Sequence, residues 1–163
     1  MTTDEVRYEP IGVIRSPYDS VEGMPIQASA AGDTVGIVEL QDEYVPGLAD
    51  LEGFSSCILL YHFHQAEGHA SLTPTPFLEE ETHGVFSTRA PRRPNPIGLS
   101  IVAIEAVDGE SIRIRGVDVL DGTPLLDIKP YVPDFDGRED ATAGWLDETS
   151  KSAGTVNADE RFR

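Results

Sequence analysis

The sequence predicts an all-β fold, a barrel-like folded sheet of six or seven short strands with few short helices. Three observations carry this. Short β-branched and apolar runs recur from Tyr8 to Lys129, turn residues separate them at close intervals, and only one stretch reads as helical. Tyr8–Arg15 is the first expected strand, closed by the turn Ser16-Pro17-Tyr18. Thr34–Leu40 is the second, rich in β-branched residues. Asp42–Glu52 is the helical stretch, and Pro46 limits it to a turn or two. Cys57–His64 is the third strand, apolar through Leu60 and then alternating, and Gly84–Thr88 is a short fourth. Leu99–Val107 and Ser111–Leu120 form a hairpin over Asp108-Gly109. In its second arm Ile112 and Ile114 alternate with Arg113 and Arg115, so one face is buried and one wet. Leu125–Lys129 closes the set. Residues 1–136 are expected to form the folded domain. Residues 137–163 are an acidic C-terminal arm or tail, anchored up to about residue 148 by Trp145.

Composition narrows the class. A chain of 163 residues can bury one core, and no apolar run approaches the ~20 residues needed to span a bilayer. The acidic start Met1-Thr-Thr-Asp-Glu5 is unlike a secretion signal, so a cytoplasmic protein is expected. The single cysteine, Cys57, sits in the apolar run Cys57-Ile-Leu-Leu-Tyr61; it reads as a small buried hydrophobe. The formal net charge is −17, and only two of the cationic residues are lysines. Such a balance ordinarily opposes nucleic-acid binding. It also fits a salty cytoplasm, because at ~1 M salt the Debye length falls to about 3 Å and only close contacts count. A halophilic source is therefore expected, and local charge decides more than net charge.

Local charge singles out one segment. In Gly84-Val-Phe-Ser-Thr-Arg-Ala-Pro-Arg-Arg-Pro-Asn-Pro-Ile-Gly98, Arg89, Arg92 and Arg93 fall within five positions, and Pro91, Pro94 and Pro96 stiffen the backbone. Stiff loops lose less entropy on binding, and clustered guanidinium groups suit a carboxylate or phosphate. The plain alternative is a connecting loop whose arginines offset nearby acids. No Gly-x-Gly-x-x-Gly or phosphate-binding Gly-x-x-x-x-Gly-Lys-Ser/Thr loop is present. His62 and His64 are expected on one strand face with Phe63 on the other. Glu67, His69 or His83 could complete a metal set, but no recognised ligand spacing exists, so no metal is expected. Pocket lining and plain structure are the competing readings of that pair. Asp121-Gly122 is a tight turn, and Asp127 and Lys129 would share a strand face as an ion pair.

These segments together, namely Pro10-Ile-Gly-x-Ile14, Ser16-Pro-Tyr18, Met24-Pro-x-Gln27, Tyr61-His-Phe-His-Gln65, Gly84–Ser100 and Leu120-Asp-Gly-Thr-Pro-Leu-Leu-Asp-Ile-Lys-Pro-Tyr131, resemble the TsaA-like family. Its characterised members are the TrmO tRNA methyltransferases. The resemblance covers Tyr8–Asp136 and implies a β-barrel subunit, a homodimer, and S-adenosylmethionine bound in a cleft near the dimer interface. It further implies methylation of N6 of N6-threonylcarbamoyladenosine in the anticodon loop of threonine tRNA. Pro25, Ile26, Gln27, His64, Gln65, Arg93, Leu120, Asp121, Gly122 and Thr123 fall where the family's cofactor contacts lie. Arg89, Arg92, Asn95 and Asp127 fall in motif positions expected to meet substrate or hold the site together. The chain lacks the separate C-terminal domain of longer bacterial members. That keeps open an alternative, a cofactor-binding sensor without tRNA methylation.

Overall fold

In the computed structural model, which describes residues 4–22, 24, 31–76 and 81–147, six antiparallel strands close into a barrel. They are β1 (Gly12–Arg15), β2 (Val35–Leu40), β3 (Ser56–His62), β4 (Ile97–Asp108), β5 (Ser111–Arg115) and β6 (Thr123–Pro130), in the spatial order β1-β2-β5-β4-β3-β6. β6 closes the ring, pairing with both β1 and β3. Period-2 alternation is what permits closure, because every strand turns one face to a single interior. Ile14, Val38, Cys57, Leu59, Ile112, Ile114 and Leu125 fill that interior and are almost wholly excluded from solvent. Burial pushes the Cys57 thiol up to about 12, so it packs as an inert small hydrophobe.

Two expected elements came out differently. Gly84–Thr88 is a 3-10 turn over Val85–Ser87 rather than a strand, with Val85 buried and Ser87 Oγ donating to Gly84 O at 2.7 Å. Asp42–Glu52 divides into 3-10 turns at Asp42–Leu48 and Leu51–Gly53, separated where Asp50 takes a left-handed φ of 68°. The hairpin forms as expected, with Asp108 paired to Ser111 and Gly109 at φ 58°. Its second arm stops at Arg115, because Gly116 turns the chain with φ 89°.

Two register shifts interrupt the strand pairing. Between Leu60 and Tyr61, β6 carries one extra residue: Tyr61 faces Leu125 while Leu60 faces Asp127. Leu125 therefore points into the barrel, and Asp127 and Lys129 point out. They form an ion pair at 2.8 Å, which raises the Lys129 pKa. On β4 the extra residue is Glu105, whose carboxylate meets Arg113 at 2.8 Å and Arg115 at 2.9 Å.

Past β6 the chain makes a one-turn helix α1 (Pro133–Asp136) and a 3-10 turn at Gly144–Leu146. Trp145 folds back on the barrel, donating from Nε1 to Ser87 O at 2.9 Å and stacking on His83 with centroids 4.4 Å apart.

Gly98 illustrates how tightly the site end of the barrel is packed. A Cβ there would lie 2.2 Å from Tyr61 Cε2 and 2.8 Å from Phe63 Cζ. Gly98→Ala should destabilise the protein by ~1–3 kcal/mol, since two packed rings would have to move. Thermal unfolding checks this: an unchanged melting temperature would mean the rings yield freely.

Candidate functional site

One cavity lies where four distant segments meet at the end of β3. Val21 and Met24 come from the loop after β1, Phe63, His64, Gln65 and Ala66 from the turn after β3, and Pro91 from the arginine loop. Asp118 to Leu120 come from the segment between β5 and β6, Thr123 from the start of β6, and Tyr61 forms part of the floor. Its surface is mostly apolar, with a few polar groups converging, as small-molecule sites are.

The wall formed by Val119 to Thr123 is braced from behind. Ser16 Oγ donates to Val119 O at 2.5 Å and Ser16 N–H to Asp121 Oδ1 at 3.1 Å. Asp121 N–H donates to Tyr18 O and Gly122 N–H to Ile14 O, at 2.9 and 3.0 Å. Gly122 has a φ of 76°, a conformation strained for any side chain, so the tight turn needs its glycine. Thr123 Oγ1 donates to Leu120 O at 2.7 Å. The Ser16-Pro17-Tyr18 turn is thus the clamp that shapes one side of the cavity.

At the floor runs a buried hydrogen-bond chain. Ser100 Oγ donates to Asp118 Oδ1 at 2.5 Å and lies 2.9 Å from Tyr61 OH. Because the single hydroxyl proton of Ser100 is committed to the carboxylate, Tyr61 donates to Ser100. Burial, and then the Asp118 charge, push the Tyr61 phenol far above its ordinary value; the Arg89 guanidinium works in the opposite sense. Asp118 itself is only 7% exposed. It is the one carboxylate among the described residues lining the cavity.

His64 is held below the ordinary histidine value of 6.5, first by burial and then by the neighbouring His62 imidazole, against an opposing hydrogen bond with the His62 backbone. Gln65 Nε2 lies 3.5 Å from His64 Nε2. β3 ends at His62, whose partner is Ile97 on the outer face, so the expected sharing of a face by His62 and His64 is not kept. Phe63 and His64 both line the cavity, and Phe63 meets Tyr61 edge-on at 5.5 Å.

The arginine loop forms the rim. Ala90 is buried as its anchor, and Arg93 Nη1 donates to Thr88 O at 3.0 Å and Ala90 O at 3.3 Å, tying the loop to itself. Arg92 Nε is buried and has no hydrogen-bond partner among the described residues. Asn95 is exposed, and its carbonyl accepts from Ile97 N–H at 2.7 Å.

Of the residues expected at a cofactor site, His64, Gln65, Leu120 and Thr123 therefore share this cavity, with Asp121 and Gly122 forming the turn between the last two. Arg93 braces the loop from which Pro91 enters it. Pro25, Ile26 and Gln27 lie outside the described residues, although Met24 beside them lines the cavity. Asp127 stands on the barrel's outer surface, opposite Leu60, and is not among the lining residues. Asp118, Ser100 and Tyr61 were given no role from sequence. The available signal was a carboxylate inside the apolar run Val117-Asp-Val-Leu120. Among the described residues no group of three or more His, Cys, Asp or Glu is placed to hold a metal ion, and no helix is long and apolar enough to cross a membrane.

The family model described as the tRNA-methyltransferase O N-terminal domain matches residues 13–137. A Pyrococcus abyssi protein named as a probable S-adenosyl-L-methionine-binding protein is 53% identical over 155 residues, covering 95% of this chain and 84% of its own. The human tRNA (adenine(37)-N6)-methyltransferase is 36% identical over 83% of this chain, which spans 32% of that enzyme. The crystal structure of TrmO from Pseudomonas aeruginosa superposes with a TM-score of 0.76 at 40% identity, covering 88% of this chain and 64% of that one.

Proposed function

Because the chain belongs to the tRNA-methyltransferase O family, we propose that it is an S-adenosylmethionine-dependent enzyme that methylates N6 of N6-threonylcarbamoyladenosine in the anticodon loop of threonine tRNA. The observation that carries this reading is the cavity itself. It brings His64, Gln65, Leu120 and Thr123 together with one carboxylate, Asp118, and with Pro91 of the arginine loop.

The donor set suits the cofactor. Val21, Met24, Phe63 and Leu120 offer apolar surface to an adenosine and a thioether chain, while neutral His64 and the amide of Gln65 offer polar contacts without adding positive charge. The bound cofactor supplies a methyl group on a positively charged sulfur. What the chain must do is hold the acceptor nitrogen in line at ~3 Å and exclude water, since positioning supplies much of the rate in such a displacement. The ureido nitrogen of the substrate is a poor nucleophile until it gives up its proton. Asp118 accepts that proton as the new N–C bond forms, and its hydrogen bond from Ser100 fixes the carboxylate's direction. Arg89 and Arg92 grip the threonyl carboxylate.

The rest of the proposal concerns assembly and setting. The outward stripe Ile97, Leu99 and Ile101 on β4, against Ile58 and Leu60 on β3, supports a homodimer, because an apolar strip on a barrel's outer face is costly in water. Residues 1–136 constitute the methyltransferase domain and 137–163 an appended arm of a cytoplasmic, salt-adapted protein; the charge of −17 supports the last point. A second reading is cofactor binding without tRNA methylation. It is favoured by the name of the Pyrococcus abyssi relative, an S-adenosyl-L-methionine-binding protein, and by the chain's spanning 64% of the TrmO crystal structure. Nucleoside mass spectrometry of tRNA from a deletion strain separates the two. Loss of the methylated nucleoside is expected, and an unchanged nucleoside profile would leave the binding-only reading.

Cofactor binding should also depend on pH through His64. A protonated imidazole would put a positive charge on the wall of a cavity that would hold a cationic cofactor, so affinity should hold steady above about pH 6.5 and fall on acidification. The sign for stability is the same. The folded pKa is depressed, so the unfolded chain binds more protons just below the ordinary value, and stability present above that value is lost as pH falls. Calorimetric titration across this range, with His64→Ala losing the acidic limb, checks it; a pH-independent affinity in the parent protein would remove His64 from the site.

A further inference from the structure

The geometry points to Phe86 as a stacking platform for an unpaired base of the RNA substrate, held out from the barrel by a rigid turn that Trp145 clamps. This inference rests on tRNA being the substrate. Phe86 is 80% exposed, the most exposed aromatic side chain among the described residues, whereas Val85 on one side of it is buried and Ser87 on the other is fixed by hydrogen bonds. A lone exposed aromatic on a mobile loop would call for no explanation. This one sits on a frame. Val85 N–H donates to Leu72 O at 2.9 Å, Thr88 N–H to Val85 O at 3.1 Å and Ser87 N–H to Gly84 O at 2.9 Å. Thr88 Oγ1 donates to Val85 O at 2.9 Å. From the other end of the chain Trp145 Nε1–H closes on Ser87 O at 2.9 Å, with its ring flat against His83 at an interplanar angle of 11°. The backbone on either side of Phe86, at Val85 and at Ser87, is thus tied down.

The occupant is an RNA base rather than another apolar surface for three reasons. The turn leads directly into Arg89, Arg92 and Arg93, the densest positive charge in a chain of net charge −17, and phosphates follow positive charge. The same segment supplies Pro91 to the cavity, so a nucleotide inserted there would leave its neighbour beside the arginine loop. Bases in a loop are unpaired and stack on aromatic rings regardless of sequence. A ring carried on a braced backbone loses less entropy when it is covered than one on a mobile loop.

The test uses the full chain and two probes: threonine tRNA in methylation assays, and a single-stranded anticodon-loop RNA carrying 2-aminopurine beside the target position. In the parent protein the fluorescence of 2-aminopurine should be quenched on binding. Phe86→Ala should abolish that quenching and raise the KM for tRNA roughly tenfold or more, with S-adenosylmethionine affinity unchanged and kcat little altered. Phe86→Trp should restore both, while Phe86→Leu, apolar but without a π face, should not. Trp145→Phe, which keeps the stack and removes the hydrogen bond to Ser87, should weaken quenching partially. Equal RNA binding and quenching by the parent and Phe86→Ala would overturn the inference. So would a Phe86→Ala protein that changes its sedimentation from dimer to monomer while keeping its RNA affinity, because the ring would then belong to a contact between copies. If the parent methylates no tRNA, the substrate reading fails, and the quenching comparison still decides the role of Phe86.

Discussion

Asp118→Asn should reduce methyl transfer by roughly a hundredfold or more while leaving S-adenosylmethionine affinity within a few-fold of the parent. Asparagine keeps an oxygen where Ser100 donates at 2.5 Å, so the chain from Tyr61 through Ser100 survives while the negative charge and proton acceptance are lost. Removing the hydrogen-bond donor instead, by Ser100→Ala, leaves a buried carboxylate less well satisfied and should destabilise the fold by about 1–3 kcal/mol. It should retain much more turnover than Asp118→Asn. The two proteins, compared by single-turnover assays and thermal unfolding, separate a chemical from a structural role. Near-parental turnover in a folded Asp118→Asn protein would show that another group takes the proton.

Threonine tRNA bearing N6-threonylcarbamoyladenosine should be methylated at a rate exceeding that of the same tRNA with plain adenosine by on the order of a thousandfold. The reason lies in the rim. Arg92 carries a buried Nε without a protein partner among the described residues, and guanidinium groups grip carboxylates with geometric specificity. A substrate without the carboxylate leaves those donors unpaired, which is the costly outcome. Arg92→Ala should therefore lower turnover on the modified tRNA by roughly tenfold or more and scarcely alter cofactor affinity. Arg89→Ala should act likewise, with an added effect through Tyr61, whose phenol feels the Arg89 charge. Labelled-methyl transfer at matched salt reads all of these. Equal rates on the two tRNAs would show that the carboxylate is not what the arginines hold.

The barrel was legible because alternation is a local property. Val35–Leu40, Ser111–Arg115 and the Asp108–Ser111 turn each declare their period and their ends within a few residues. The family was legible for a related reason, since its motifs sit in turns and loops whose chemistry is written consecutively, above all in Arg89–Ser100. So was the Asp127–Lys129 pair, two residues apart on one strand.

What only the tertiary structure decided are the matters that depend on distant segments. Gly84–Thr88 has strand-like residues, yet it joins no sheet; its hydrogen bonds close locally, onto Leu72 and onto Trp145 from 58 residues away, so it turns. Asp127 was placed by motif beside the site, but one extra residue on β6 rotates it to the outer surface, and such a register shift costs nothing that a pattern of apolar residues reveals. Asp118 carries no assignable role in the sequence because a carboxylate in an apolar run has no partner in its own neighbourhood. Its meaning arises when the closed barrel brings Ser100 and Tyr61 from β4 and β3 against it. The sequence by itself determined the strands and the family; closure of the ring, which sets who faces whom, determined the site.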